Sequence, residues 1–351
     1  MTSNTSPAKA NDAKFSWALV GPGRIANRFA EAVQGMPDAD LVWVVGRDLE
    51  RVQAFARKWS AADAVVQAGT ALEAALADPR VDGVYIATPH AQHADVIAQC
   101  LSAGKPVLCE KPLVPSVAIA QPLIDQSRAS GVFLMEALWS RFLPGFDQIG
   151  QWLLSGAIGR VRAIHSTFCF PAAFDASSRL FAPELAGGAL LDIGIYNLNL
   201  SRWVLQTTMG ACPPFLHSDV QGVLAPTGVD QRVCGSFTFV DGVTFQWVCA
   251  VDTSSSNSMQ ILGEKGYILV PRDFHHAEEV VLVRHGEAEQ RVATPFGING
   301  FEYEIAEAMR CARAGLHESP RMPHSETLTT LEWMDGIRTK LGVRYPFEQA
   351  A

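Results

Sequence analysis

The chain has 351 residues, 48% hydrophobic and 18% charged, with a formal net charge of −8. That length predicts two domains with ample core, the composition is that of an ordinary globular protein, and the acidic balance offers no basic footprint for nucleic acid. No run reaches the roughly 18 apolar residues of a membrane span, so no membrane partner is expected.

Residues 1–14, MTSNTSPAKANDAK, are small and polar, lack the apolar core of a secretory signal, and read as a disordered tail. FSWALV, 15–20, is an apolar run of strand type, and GPGRIANRFAEAVQG follows with Ile25, Phe29 and Val33 at helical spacing. LVWVVG, 41–46, is a second strand, and Asp48 caps a helix reaching Trp59. Further expected elements are a strand at 64–66, a short helix at 70–77, and a strand at 82–89 ending in Thr88-Pro89. A helix at 91–103, closed by Gly104, a strand at 107–109, a helix at 115–129 and a strand at 132–137 complete the series.

Strand–helix alternation with continuously apolar strands predicts a Rossmann-type α/β domain over 15–136, with a doubly wound, mostly parallel sheet. Ligands of such sheets bind beyond the carboxyl ends of the strands. Gly21–Ala26, Arg47, Thr88, Pro89, His90, Glu110 and Lys111 all fall at those ends, so they are expected to border one crevice. GPGRIA has the Gly-x-Gly-x-x-Ala pattern of a dinucleotide site. Gly21 permits the tight turn, Gly23 a close approach to the pyrophosphate, and Ala26 close helix–strand packing. The helix start, with Arg24 and Ile25, turns amide N–H groups and positive dipole toward phosphate. At the second strand tip stands Arg47, whose charge and planar donor fork suit a 2′-phosphate. NADP is therefore expected, with NAD open: Arg47 as a solvated loop residue, or Asp48 turned back to the ribose, would favour it.

GGALLDIGIYNLNLSRWVLQ, 187–206, reads as a well-buried helix after a flexible glycine pair. Asp192 and Tyr196 are four apart and share one face; buried, each needs a partner. Downstream, 217–224, 231–240, 243–251, 259–263, 266–270 and 279–286 read as successive strands, with Asp241-Gly242 as a hairpin turn. A helix ending near Gly342 follows. The switch from alternation to serial strands puts a domain boundary near 137, with an α+β domain over 137–351 built on a mainly antiparallel sheet. Seven cysteines form no Cys-x-x-Cys pair, and nine histidines form no metal-ligand spacing. Reduced thiols, a cytoplasmic location and no metal are expected.

GPGRIA, ATPHAQH (87–93), CEKPL (109–113), MEALWSRF (135–142) and GGALLDIGIYNL (187–198), in this order, resemble the glucose–fructose oxidoreductase / inositol dehydrogenase / rhizopine-catabolism family. The resemblance runs from about residue 15 to the end. Residues 300–328 are most similar to the branch of dimeric dihydrodiol dehydrogenases and NADP-dependent D-xylose dehydrogenases. It implies a Rossmann domain followed by a large open-faced sheet that often forms a homo-oligomer contact. Two positions depart from the family pattern: Ala186 replaces a glycine, and Gly46 replaces a serine before Arg47.

The resemblance implies hydride transfer between a nicotinamide and a carbinol. Such a reaction needs the reacting carbon held close, a proton acceptor, and positive charge for the developing alkoxide. Tyr196 is expected to exchange the proton. Lys111 would hold the hydroxyl and lower the phenol's pKa from near 10. Asp192 would orient a partner or a sugar hydroxyl, and Glu110 would contact cofactor or backbone. Trp139, Arg141 and Phe168 are the expected substrate contacts, with Phe170 and Phe174 as further walls. The expected ligand is a small neutral polyol, sugar or cyclic diol. Ketosugar or dicarbonyl reduction, sugar oxidoreduction with a tightly held cofactor, and a non-catalytic cofactor-binding sensor are the alternatives.

Overall fold

β1 (Phe15–Val20) is buried along almost its whole length, as a strand covered on both faces must be. The computed structural model describes residues 14–60 and 64–348, so the expected tail lies outside the described residues except for Lys14. Around β1 wind α1 (Arg24–Gly35), β2 (Ala39–Val45), α2 (Leu49–Trp59), β3 (Gln67–Gly69), α3 (Leu72–Ala77) and β4 (Gly83–Ile86). α4 (His93–Ser102), β5 (Val107–Glu110), α5 (Val117–Ser130) and β6 (Leu134–Ala137) complete this half. The six strands run parallel in the order β3-β2-β1-β4-β5-β6. The strand order reverses between β1 and β4, where a doubly wound sheet opens its ligand crevice. The third strand is not at 64–66: it occupies 67–69, because its pairing with Trp43–Val45 at the sheet edge sets its position.

The second half opens with two elements that periodicity did not mark. α6 (Pro144–Leu154) carries proline at its start, where a missing N–H costs nothing. β7 (Val161–Cys169) becomes a central strand of the second sheet. The segment at 187–206 is not one α-helix. Leu190–Gly194 forms a π-turn that runs into α7 (Ile195–Met209). The glycine pair before it is buried, and the Gly187 carbonyl accepts from the Tyr345 hydroxyl at 2.7 Å, so it is a fixed joint rather than a flexible one.

β8 (Phe215–Leu224), β9 (Asp230–Phe239), β10 (Thr244–Ala250), β11 (Met259–Gly263), β12 (Gly266–Val270), β13 (Glu279–Arg284) and β14 (Gln290–Ala293) join β7 in the order β14-β13-β12-β11-β7-β10-β9-β8. Every pair is antiparallel except β7–β10. Asp241-Gly242 turns β9 into β10, Gly242 at φ 85°. One face, with Phe237, Phe245, Trp247 and Cys249, is buried; the other leaves Thr167, Cys234, Ser236 and Gln246 wholly or partly exposed. α8 (Phe301–Arg313) and α9 (His324–Leu341) return to the first sheet: Leu134 N–H donates to the His317 carbonyl at 3.0 Å, and Val117 N–H to Asp335 at 3.0 Å. Among the described residues no helix is long and apolar enough to cross a membrane.

Candidate active site

Beyond the carboxyl ends of β1, β2, β4 and β5 lies a cavity of about 790 Å³ whose far wall comes from the second sheet and its helix. Gly21 turns the chain at φ 91°, and a Cβ there would stand 2.8 Å from the Ala87 carbonyl carbon. Arg24 and Ile25 line the cavity. Ile25 is partly exposed, so it faces the crevice rather than the core that Phe29 and Val33 share. At the β2 tip, a Cβ on Gly46 would meet the Pro22 ring at 2.8 Å, which accounts for the missing serine. Arg47 and Arg51 both border this end. Asp48 accepts from the Arg51 N–H at 3.1 Å, so it caps α2 as expected, and Arg51 Nε donates to the Pro22 carbonyl at 3.1 Å. The Thr88 hydroxyl is buried at the β4 tip without a partner among the described residues. A tight glycine turn, a helix start, two guanidinium groups and an orphaned hydroxyl together fit a dinucleotide.

Pro89, His90, Glu110 and Lys111 also line the cavity. His90 Nδ1 bonds the Ala186 carbonyl at 3.2 Å, and burial pulls its pKa down to about 3, so the ring is neutral. His93 is structural: its two nitrogens lie 2.8 Å from the Thr88 carbonyl and 3.1 Å from those of Pro112 and Leu113, tying two strand tips together. Glu136 accepts from the Leu113 N–H at 2.8 Å and the Thr327 hydroxyl at 2.9 Å. The Lys111–Pro112 peptide is cis. Glu110 accepts from the Tyr85 hydroxyl, and burial raises its carboxyl above the usual range.

The ammonium of Lys111 donates to both the backbone carbonyl and the carboxylate of Asp192, the latter at 3.2 Å. Arg179 grips the same carboxylate at 2.8 and 3.3 Å. Burial opposes the Asp192 charge, but the two cations overcome it and hold the carboxyl well below its ordinary range. Lys111 Nζ lies over the Tyr196 ring, 5.1 Å from its centroid, and the phenol oxygen instead accepts from Trp139 Nε1 at 3.1 Å. The expected lowering of the phenol's pKa is overturned here. Burial, then the neighbouring Glu110 charge, push Tyr196 well above 10. The physical reason is competition: a carboxylate outbids a neutral phenol for the ammonium.

Trp139, Phe168 and Phe170 line the cavity. Phe174 does not; half-exposed, it packs on Phe181 at 5.1 Å. Arg141 corrects its expectation too. Its guanidinium is buried against Asn199 at 3.2 Å and Glu326 at 3.5 Å, in a cluster that includes Arg202 at 3.0 Å from Glu326. It is absent from the cavity lining because Glu326, on α9, draws it the other way. Sequence reasoning missed Arg51, Arg179, His275 and Phe301, all on the lining. Arg179 sits in an irregular loop with no periodic signal. For His275, the adjacent pair His275-His276 in a short inter-strand loop was the available sign.

Comparison with known proteins agrees with this architecture. Residues 15–138 match the oxidoreductase family with NAD-binding Rossmann fold, and residues 146–269 the GFO/IDH/MocA C-terminal domain. The chain is 34% identical over 341 residues to trans-1,2-dihydrobenzene-1,2-diol dehydrogenase of Mus musculus, covering 94% of this chain and 98% of that one. The Homo sapiens protein of the same name is 31% identical, with coverage of 94% and 98%. Among solved structures, aldose-aldose oxidoreductase from Caulobacter crescentus superposes with a TM-score of 0.82 at 22% identity, covering 94% and 98%. Levoglucosan dehydrogenase, in complex with NADH and levoglucosan, superposes at 0.79 and 18% identity, covering 94% and 97%. At these identities the two structures establish a shared fold.

Proposed function

The chain belongs to the GFO/IDH/MocA oxidoreductase family, and from that premise we propose that it is an NADP-preferring dehydrogenase acting on a carbinol of a sugar or cyclic diol. It is an oxidoreductase with an NAD(P)-binding Rossmann domain. The observation that carries the finer reading is the meeting of Lys111, Asp192 and Tyr196 across the crevice that the glycine turn opens. When bound, the nicotinamide supplies hydride exchange at ring C4.

Gly21, Gly23, Arg24 and Ile25 would hold the pyrophosphate. Arg47, joined by Arg51, would hold the 2′-phosphate that distinguishes NADP, while Thr88, Pro89, His90 and Glu110 border the ring end. Lys111 donates to the reacting oxygen, and Tyr196 exchanges its proton. Asp192, kept ionised by Lys111 and Arg179, orients the ammonium. Trp139 steers the phenol and, with Phe168, offers aromatic faces to a ring-shaped substrate. Residues 15–136 act as the cofactor domain and 137–351 as the substrate domain, whose open sheet face is suited to a homodimer or higher homo-oligomer.

One observation favours the reductive direction as a second reading: burial keeps the Tyr196 phenol protonated, the state that donates a proton to a ketosugar carbonyl. A screen of aldoses, inositols and cyclic trans-diols with NADP and NAD, and of the matching ketones with NADPH and NADH, tests both. Turnover with NADP at higher kcat/KM than with NAD is expected. Cofactor binding without turnover of any of these compounds would favour a sensor instead.

A further inference from the structure

Among the described residues three non-glycines hold a left-handed backbone: Ala186 (φ 56°), Asn257 (φ 53°) and Asp273 (φ 45°). Such conformations persist only where the surroundings impose them. All three position histidines at the crevice. The Ala186 carbonyl takes His90. Asn257 and Asp273 are bonded to each other, Nδ2 to Oδ1 at 3.1 Å, and the Phe274 N–H donates to the Asn257 carbonyl at 2.7 Å. The turn they build carries His275. Asn257 Oδ1 also accepts the Cys169 N–H at 2.8 Å, fastening the turn beside Phe168, and the Ser140 hydroxyl donates to the His275 carbonyl at 2.6 Å.

The His275 ring is held as firmly as its backbone. It stacks on Phe168, with centroids 4.0 Å apart and planes 17° from parallel, and its centroid lies 5.6 Å from that of Tyr196. His276, in contrast, turns away to pack on Phe296 at 4.8 Å and to pair with Glu278 at 3.2 Å. Nδ1 of His275 is buried with no partner among the described residues, while the ring lines the cavity. A buried N–H without an acceptor is costly, so the proton belongs on Nε2, which leaves one N–H donor for the crevice. Burial, with His276, Lys111 and Arg28 nearby, pulls the pKa down to about 3, and the ring is neutral.

We infer that His275 is a specificity-determining residue that donates from Nε2 to the oxygen on the carbon next to the reacting carbinol. The inference rests on the hydride-transfer reading above. Lys111 and Tyr196 take the reacting oxygen, and His275, alongside Tyr196 on the same wall, meets the neighbouring one. A compound lacking that second hydroxyl leaves a buried donor unpaired, which is the strongest form of discrimination a pocket has.

The test compares kcat/KM for trans-1,2-cyclohexanediol against cyclohexanol, and for D-xylose against its 2-deoxy analogue, in wild type, His275→Phe and His275→Gln. Phenylalanine keeps the stack on Phe168 without a donor; glutamine keeps a donor. Wild type is expected to prefer the hydroxyl-bearing member by about 100-fold or more. His275→Phe should bring that preference to within a few-fold, by loss on the diol alone, and His275→Gln should retain part of it. Thermal melting and NADP binding report whether each variant is folded. A preference unchanged in His275→Phe, an equal loss on both members of a pair in a folded variant, or a wild type that turns over both members equally overturns the inference. If His275→Phe does not fold, a reduced preference in a folded His275→Gln, by loss on the diol alone, supports it, and an unchanged preference there overturns it. A wild type inert on every alcohol tested overturns the hydride-transfer reading, and this inference falls with it.

Discussion

Lys111 and Asp192 stand 81 positions apart and meet through a carbonyl, a carboxylate and one ammonium. Because Arg179 shares that carboxylate, removing the lysine does not strand a buried charge. Lys111→Ala should therefore remain folded while kcat falls by about 10²–10⁴, and Tyr196→Phe should do the same; steady-state rates beside melting curves check both. The phenol's raised pKa sets a sign for pH. The basic phenolate grows about tenfold per pH unit until the pKa is reached. Oxidation by wild type should thus climb through the alkaline range, and the slope should vanish in Tyr196→Phe; a plateau already at pH 7 would argue against Tyr196 as the base. Arg141 makes the opposite kind of prediction. Its side chain serves the Glu326 cluster, where Arg202 still holds the carboxylate, so Arg141→Met should cost about 1–2 kcal/mol in a denaturant titration, the worth of the lost charged hydrogen bonds, and leave KM unaltered.

The element that carries Asp192 is a π-turn, and its start is held from the second sheet. Asp230, the first residue of β9, accepts the Leu190 N–H at 2.6 Å and is fully buried. Burial raises its pKa to about 6, against backbone hydrogen bonds that favour the charge. A folded-state pKa above the unfolded value near 3.9 makes the neutral form the stabilised one. That contribution is complete below about pH 4 and is lost as pH rises through about 6. Wild type should accordingly lose on the order of 2–3 kcal/mol relative to Asp230→Asn between pH 4 and 7, measured by urea unfolding of both. A constant difference across that window would show that Asp230 does not titrate there. A second element, α2, begins at Leu49 behind its Asp48 cap, and that cap holds the Arg51 backbone whose side chain borders the cofactor end.

At the scale of the molecule, two sheets meet at one crevice, and α8 and α9 stitch the end of the chain back onto the first sheet. Glu136 takes part in that stitching, since it accepts from Leu113 on one side and Thr327 on the other. Occupation of the crevice should stabilise the whole assembly. NADP at 100 times its Kd should add about 2.7 kcal/mol, and the excess of that shift over the one with NAD should disappear in an Arg47→Ala, Arg51→Ala double variant. Equal shifts for NADP and NAD at the same concentration in wild type would abolish the cofactor preference; thermal melting with each nucleotide decides.

The parallel sheet, the glycine turn, the cap at Asp48 and the strand tips bearing Thr88, Glu110 and Lys111 were legible in the amino-acid sequence alone. These features are local: burial on both faces makes a strand apolar throughout, helices carry their own period, and a dinucleotide turn needs its glycines at fixed spacing. Tertiary structure alone decided which way Arg141 points, that Lys111 pairs with Asp192 rather than with the Tyr196 hydroxyl, that the helix at 190 starts with a π-turn, and that Arg179 and His275 enter the crevice. Each of those outcomes is a competition between partners distant in sequence, settled by charge, burial and hydrogen bonding once the two sheets have packed, and a local pattern carries no record of who the competitors are.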